Sequence, residues 1–305
     1  MKKRVLVIGG NGFIGKNVME YLREKEYCVG GYDLNMPASF QGSFYEGDII
    51  HDDNLDKILS QYNTVIYLIS AIMPKQSMEE PLSSYTTDVP LLIKTLETCK
   101  SVGIKRIIYA SSGGTVYGDS ETANNENMIL EPINHYAICK VTCEKILMLY
   151  NQLYEMENVA LRISNPYGKY QRVESGVGAV TAFTTELLKG EKIVLWGDGE
   201  NARDFVDIKS VAKAFHLAVE WEMDKTCIPV FNIGSGERTT LNHLIQIIAD
   251  EMGVQAEIDY QPKRNFDVRC NYLDIAKAKA HLGYSLDHSA EANIREYVRM
   301  RKSMK

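Results

Sequence analysis

The strongest constraint on how this chain can fold lies between Arg4 and Asp33. A short buried-strand pattern from Arg4 to Ile8 meets Gly9-Gly10-Asn11-Gly12-Phe13-Ile14-Gly15, and an amphipathic helical pattern then runs to about Lys25. A second strand pattern, Tyr27 to Tyr32, closes on Asp33. Glycine at positions 9, 12 and 15 permits a tight turn, close approach of a pyrophosphate to the backbone, and close packing of helix on strand, with the helix N-terminus facing the anion. Strand, glycine turn, helix and second strand occur in the order that a dinucleotide-binding unit requires, and Asp33 falls where a ribose-binding acid is expected. Its carboxylate can accept hydrogen bonds from free ribose hydroxyls and would repel a 2′-phosphate, which favours NAD over NADP.

Strand and helix patterns continue to alternate. Ser43 to Tyr45 and Asp48-Ile49 precede a helical stretch near Asp53 to Gln61 and an apolar run from Thr64 to Ile69. A long helix from Pro81 to Ser101 leads to a strand from Lys105 to Ala110, and Val159 to Ile163 reads as another strand. This alternation predicts an α/β fold, a Rossmann-type doubly wound parallel sheet covered on both faces. Ligands bind such sheets beyond the carboxyl ends of the strands, which nominates Asp33, Asp48, Leu68 to Ser70 and Ser111-Ser112 as one crevice.

Composition narrows the function class. The 305 residues suffice for a substantial core, and 45% hydrophobic with 24% charged residues describes an ordinary globular chain. A formal charge of −6 argues against a nucleic-acid surface. Lys2-Lys3-Arg4 is followed by only four apolar residues before glycine, too short a run for a signal peptide, and no segment approaches a membrane span. The six cysteines form no Cys-x-x-Cys pair and do not cluster with the histidines, so no metal is expected. Reduced thiols and a cytoplasmic enzyme are the expectation. The basic run Arg295 to Lys305 reads as a helix C-terminus whose cations complement the helix dipole.

Tyr136 and Lys140 lie one helical turn apart, so their side chains leave the same helix face. An ammonium held beside a phenol favours the phenolate and makes it usable as a general base. Ser112, delivered by the preceding strand, could orient the same substrate hydroxyl. Tyr21 and Lys25 repeat the spacing, but on the helix behind the glycine turn, out of reach of a nicotinamide ring.

With these residues in place, the chain resembles the extended short-chain dehydrogenase/reductase superfamily, and within it the nucleotide-sugar epimerases typified by UDP-glucose 4-epimerase. The resemblance rests on Gly9-x-x-Gly12-x-x-Gly15, Asp33, Gly47-Asp48-Ile49, Ser111-Ser112 with Val116-Tyr117-Gly118, Tyr136-x-x-x-Lys140 and Asn165-Pro166-Tyr167-Gly168. Trp196-Gly197-Asp198-Gly199, Arg203-Asp204-Phe205, Phe231-Asn232-Ile233-Gly234-Ser235-Gly236, and Arg264 with Leu273-Asp274 extend it over nearly the whole chain.

The resemblance implies a bound NAD contacted by Gly9, Gly12, Phe13, Ile14, Asp33, Asp48, Ile49, Leu68, Ile69, Ser70, Tyr136 and Lys140. It implies catalysis by Tyr136, Lys140 and Ser112 on a nucleotide-diphosphate sugar. Asn165 would contact the substrate nucleotide, Arg203 and Arg264 would clamp its diphosphate, and Val194 and Trp196 would line the base site. An NAD-binding domain over 1–168, rejoined by about 204–225, and a smaller interleaved substrate lobe over 169–305 are expected, as is a homodimer through the helices that begin at Pro81 and carry Tyr136.

Two departures bear on the chemistry. Counting forward from the strand puts Ser112 at the family's catalytic hydroxyl, whereas counting back from Val116-Tyr117-Gly118 puts Gly113 there. The strand count is preferred, with Thr115 as the reserve hydroxyl. His135 stands where relatives usually carry proline and is read as a packing or capping difference. Related dehydratases and decarboxylases carry an acid among the residues that correspond to Gly113, Gly114 and Thr115, which disfavours both. Epimerisation at C4 through a keto sugar is the expected reaction. The rivals are an NAD(P)H-dependent reductase of a keto sugar and, from another class, a non-catalytic NAD-sensing scaffold.

Overall fold

The computed structural model describes residues 3–38, 40, 42–172, 178–264 and 268–304. Its first half runs β1 (Arg4–Ile8), α1 (Phe13–Glu24), β2 (Cys28–Asp33), β3 (Ser43–Glu46), α2 (Leu55–Leu59), β4 (Thr64–Tyr67), α3 (Pro74–Glu79), α4 (Pro81–Ser101), β5 (Arg106–Ser112), α5 (Gly113–Val116) and α6 (His135–Tyr154). The second half continues with β6 (Val159–Ile163), β7 (Asn165–Tyr167), α7 (Ala179–Lys189), β8 (Ile193–Trp196), β9 (Ala202–Arg203), β10 (Phe205–Asp207) and α8 (Ile208–Glu220). It ends with β11 (Val230–Ile233), β12 (Thr239–Thr240), α9 (Leu241–Met252), β13 (Ile258–Gln261), β14 (Cys270–Asn271), α10 (Ala276–Leu282) and α11 (Ala290–Ser303).

Seven strands form one parallel sheet in the order β11-β6-β5-β4-β1-β2-β3. The order reverses between β1 and β4, which makes the carboxyl ends of those strands the natural ligand crevice. Alternate residues of each central strand enter different cores. Val5, Val7, Ile66 and Ile108 pack with α1 and α8, whereas Leu6, Ile8, Val65 and Ile107 pack with α2, α4 and α6. Burial on both faces is why these strands read as unbroken apolar runs rather than as alternating ones. A third core joins α7, α9, α11 and β8 in a smaller lobe, with β8 paired to β13 and β9 between β12 and β14.

The structure corrects two boundaries. Residues 226–233 were expected in the smaller lobe, but β11 pairs with β6 from Val230 to Ile233 and completes the large sheet. Three apolar residues interrupted by Asn232 carry no periodicity that separates strand from loop, so only the pairing reveals them. β5 runs two residues beyond the expected Ala110 and ends at Ser112, because Ser111 and Ser112 pair with Arg162 and Ile163 of β6.

Asp204 ties together the segments that follow β6, β11 and β14. Fully buried, its carboxylate accepts hydrogen bonds from the Ser235 N–H and hydroxyl (both 2.7 Å), the Gly236 N–H (3.1 Å), the Leu273 N–H (3.3 Å) and the Ser164 hydroxyl (3.3 Å). Burial pushes its pKa up, and the Ser235, Gly236 and Leu273 donors oppose that shift. Gly234-Ser235-Gly236 thereby has a structural role, and a Cβ at Gly234 would collide with the Asp204 carboxylate.

Candidate active site

The glycine turn is held by the Gly9 and Gly10 N–H groups, which donate to the Tyr32 carbonyl at 2.8 and 3.2 Å. Gly9 adopts φ +85°, open to glycine at little cost, and a Cβ on Gly15 would run into the Gly9 carbonyl oxygen. Gly12 caps α1 without a side-chain bond, and the first turn contains no acid, so the N–H groups around Phe13 and Ile14 are left for an anion. Asp33 accepts from the Asn11 N–H (2.9 Å) and the Leu34 N–H (2.8 Å), which orients its carboxylate at the end of β2. A cavity of about 530 Å³ opens here, lined by Asn11, Gly12, Phe13, Lys16, Asp33 and Tyr170 among others. A close backbone cradle, an uncapped helix end and an acid at the end of β2 fit a dinucleotide.

Leu68 follows β4 against this turn, its N–H donating to the Ile8 carbonyl at 2.9 Å and its Cβ 3.2 Å from where a Gly9 Cβ would stand. Ile69 and Ser70 continue the loop, half-buried. Asp48 and Ile49 divide. The Asp48 side chain is exposed and accepts from the Ile50 N–H at 3.0 Å, whereas the Ile49 side chain is buried in the core. Sequence inspection passed over Lys16 and Tyr170. Lys16 follows the third glycine on the first turns of α1, and its Nζ lies 5.7 Å from the centroid of the Tyr170 ring. Tyr170 holds φ +69° and bonds Glu20 of the same helix through its hydroxyl. Only the helix phase of Lys16 was a usable signal for either.

Tyr136 and Lys140 stand on the first turns of α6. Asn134 caps the helix by accepting from the Ala137 N–H at 2.8 Å, and His135 Nδ1 meets the Tyr85 hydroxyl of α4 at 2.9 Å, a packing contact. Lys140 is 3% exposed. Its ammonium donates to the Ala110 carbonyl at 2.9 Å and lies 4.7 Å and 5.4 Å from the centroids of the Tyr109 and Tyr136 rings. Half-buried Tyr136 and its lysine are thus held against the carboxyl end of β5, two residues before Ser112.

Three hydroxyls and a glycine compete for the serine role. The Ser111 hydroxyl is buried and donates to Glu144 at 2.5 Å. A Cβ at position 113 would lie 2.6 Å from a Leu273 methyl and 3.0 Å from the Arg162 carbonyl, so a side chain there would have to displace Leu273. Thr115 donates to Ser112 Oγ at 2.9 Å, which leaves the Ser112 proton free to be given elsewhere. Tyr21 and Lys25, the other pair at this spacing, face α8, with Tyr21 beside His216.

On the substrate side, Asn165 donates through its side chain to the Asp204 carbonyl at 2.9 Å and turns its amide oxygen to the Gly114 loop, 3.4 Å from a Cβ built there. Arg203, one residue before Asp204, donates to the Ala202 carbonyl at 2.8 Å. Val194 and Trp196 leave the same face of β8, both exposed, and the Arg264 guanidinium lies 5.3 Å from the centroid of the Trp196 ring. Asn165 is therefore tied to the Asp204 backbone, next to Arg203 in the chain, while Val194, Trp196 and Arg264 form a separate group around β8.

Among the described residues no helix is long and apolar enough to cross a membrane. The basic residues of α11 are engaged locally, Arg295 with Glu291 and Glu251, and Arg299 with Glu251.

The model of the NAD dependent epimerase/dehydratase family matches residues 5–234. A putative UDP-glucose 4-epimerase of Methanocaldococcus jannaschii is 33% identical over 308 residues, covering 98% of each chain. A dTDP-4-dehydro-6-deoxyglucose reductase of Escherichia coli is 31% identical over 93% of this chain and 92% of its own length. Among solved structures, UDP-glucose 4-epimerase of Thermotoga maritima with UDP-glucose superposes with a TM-score of 0.91 at 32% identity, covering 99% of this chain and 100% of that one. A match that spans the whole central sheet, with such similarity continuing to the last helix, makes this chain a member of the NAD dependent epimerase/dehydratase family.

Proposed function

We propose that this chain is an NAD-dependent epimerase that inverts C4 of a nucleotide-diphosphate sugar through a transient keto sugar. The observation that carries the reading is Tyr136 and a buried Lys140 seated at the carboxyl end of β5, in the sheet whose β1 leads into the dinucleotide turn. Bound NAD supplies acceptance of a hydride from the sugar carbon and its return to the opposite face. Tyr136 removes the proton from the sugar hydroxyl and gives it back, and the Lys140 ammonium stabilises the charge that develops on the phenolic oxygen. Ser112, accepting from Thr115, orients the same hydroxyl with its own proton.

Gly9, Gly12, Phe13 and Ile14 serve the pyrophosphate, and Asp33 the adenosine ribose. Asp48, Ile49 and Leu68 to Ser70 line the remaining cofactor path. Asn165, Arg203 and Arg264 hold the substrate nucleotide and diphosphate, with Val194 and Trp196 at the base. The absence of an acid at 113–115 supports inversion over loss of water. Proton NMR of the purified protein with UDP-, dTDP- and GDP-sugars, without added cofactor, is expected to show the C4 epimer growing in for one of them. Stoichiometric NAD(P)H consumption with no epimer would instead assign a reductase.

The reading includes a division into an NAD-binding lobe around the large sheet and a substrate lobe around the third core. It also includes a homodimer through α4 and α6. Exposed Leu82 and Ile93 on α4, and Ile138 and Leu149 on α6, are each spaced by three helical turns, and Leu153 extends the α6 stripe. Ile93→Glu with Leu149→Glu is expected to convert the sedimenting species to a monomer. A parent chain that already sediments as a monomer rules the dimer out.

A further inference from the structure

The cavity at the glycine turn is lined from two parts of the chain. Gly12, Phe13 and Lys16 come from the turn and α1, and Tyr170, Gln171 and Arg172 come from the segment that follows β7. That segment is fastened at several points. The Lys169 carbonyl accepts from the Asn17 side chain at 2.8 Å, and the Lys169 ammonium pairs with Glu20 at 2.9 Å. Gln171 donates to the Pro166 carbonyl at 3.1 Å and accepts from the Thr181 hydroxyl. Between these anchors Tyr170 stands at φ +69°, a conformation that a bulky residue keeps only where its surroundings enforce it, and such residues gather at ligand clamps. Its hydroxyl donates to Glu20, and its ring has the ammonium of Lys169 4.6 Å and that of half-buried Lys16 5.7 Å from the centroid. The two lysines differ in one respect. Lys169 has Glu20 as its counter-charge, whereas among the described residues Lys16 has no carboxylate partner. An ammonium held on an aromatic face at this cavity is matched in charge to a diphosphate.

We propose that Lys16 binds the diphosphate of the dinucleotide, and that Tyr170 is a positioning residue whose ring, fixed by Glu20, holds the Lys16 ammonium at the cavity. The inference rests on the reading of this cavity as a dinucleotide site and deepens it. A cofactor that is reduced and reoxidised within one turnover has to stay bound throughout, and a clasp on its charged middle slows its escape.

The test is calorimetric titration of the full chain, freed of nucleotide, with NAD, ADP and adenosine. Lys16→Met is expected to weaken NAD and ADP about tenfold, as for loss of one charged hydrogen bond, and to leave adenosine, which carries no phosphate, within about twofold of the parent. That tenfold gap closes at about 1 M salt, where ionic contacts are screened. Tyr170→Gly suits the positive φ and removes the ring, and it is expected to weaken NAD and ADP about threefold, the scale of an exposed cation–π contact. Combined with Lys16→Met it adds nothing, because the ring acts through the ammonium. Unfolding midpoints of the nucleotide-free proteins check that each variant folds. If Tyr170→Gly does not, Tyr170→Asn, which also tolerates that φ, replaces it. The proposal is overturned by a Lys16→Met protein with the parent's affinity for NAD and ADP, by adenosine weakened as much as ADP, or by losses that add in the double variant. A parent chain that binds neither NAD nor ADP refutes the dinucleotide reading and the clasp with it, whereas a parent that binds NAD no better than its variants refutes the clasp alone.

Discussion

Tyr136→Phe is expected to lower turnover by about 10³-fold, as for deletion of a general acid–base group, and to leave the unfolding midpoint and the NAD content of the purified protein at their parent values. The phenyl ring keeps the packing against Lys140, whose ammonium lies 5.4 Å from the ring centroid and is fixed independently by the Ala110 carbonyl. What disappears is one oxygen, the atom proposed to exchange a proton with the sugar hydroxyl. Because that exchange is made in the transition state, kcat and kcat/KM fall together and KM stays near its parent value. Single-turnover and steady-state assays on an NDP-sugar identified by NMR provide the check. Turnover within a few-fold of the parent would remove Tyr136 from the chemistry and with it the proposed mechanism.

The second large effect is on stability. Glu144→Gln is expected to cost about 3–5 kcal/mol, the range for breaking a buried ion pair by removing one partner. Glu144 and Arg162 have side chains 2% and 5% exposed and make two parallel bonds, Nε to Oε1 at 3.0 Å and Nη2 to Oε2 at 2.7 Å. Ser111 adds its hydroxyl to Glu144, and Arg162 donates to the Tyr117 hydroxyl at 2.7 Å, which donates in turn to Asn232 at 2.7 Å. Burial opposes the charge on Arg162, and Glu144 and Tyr117 together outweigh it, so the guanidinium pKa is raised. The substituted amide would keep the shape and leave that guanidinium buried without its counter-charge. Chemical denaturation with an unchanged m-value reports the loss directly. The exposed Lys100 and Glu97 pair is the control, since surface pairs contribute about 0–1 kcal/mol. A Glu144→Gln loss no larger than that of Glu97→Gln would show that the network does not hold β5, α6 and β6 together.

Much of the site was legible along the chain because its requirements are local. Glycine at 9 and 15 answers to one positive φ and one close approach within seven residues. Tyr136 and Lys140 answer to the pitch of a single helix, and Asp33 to the end of a single strand. Strands buried on both faces print their apolar runs directly, which is why β1, β4 and β6 were found within about two residues of their ends. The choice between Ser112 and Gly113 had less local support. Leu273, 160 positions further on, fills the space beside Gly113, and no local pattern encodes that.

By itself, then, the sequence determined the dinucleotide turn, the parallel α/β architecture and the tyrosine–lysine pair, since each follows from backbone dihedrals or side-chain period over a contiguous stretch. Only the tertiary structure decided that β11 is the seventh strand, that Asp204 holds Ser235 and Gly236 by hydrogen bonds, and that Asp88 and Glu144 are buried. A carboxylate in a sequence looks the same whether water or a distant lysine will surround it. Its role is set by the dielectric and the partners that packing brings, and those come from residues tens to hundreds of positions away.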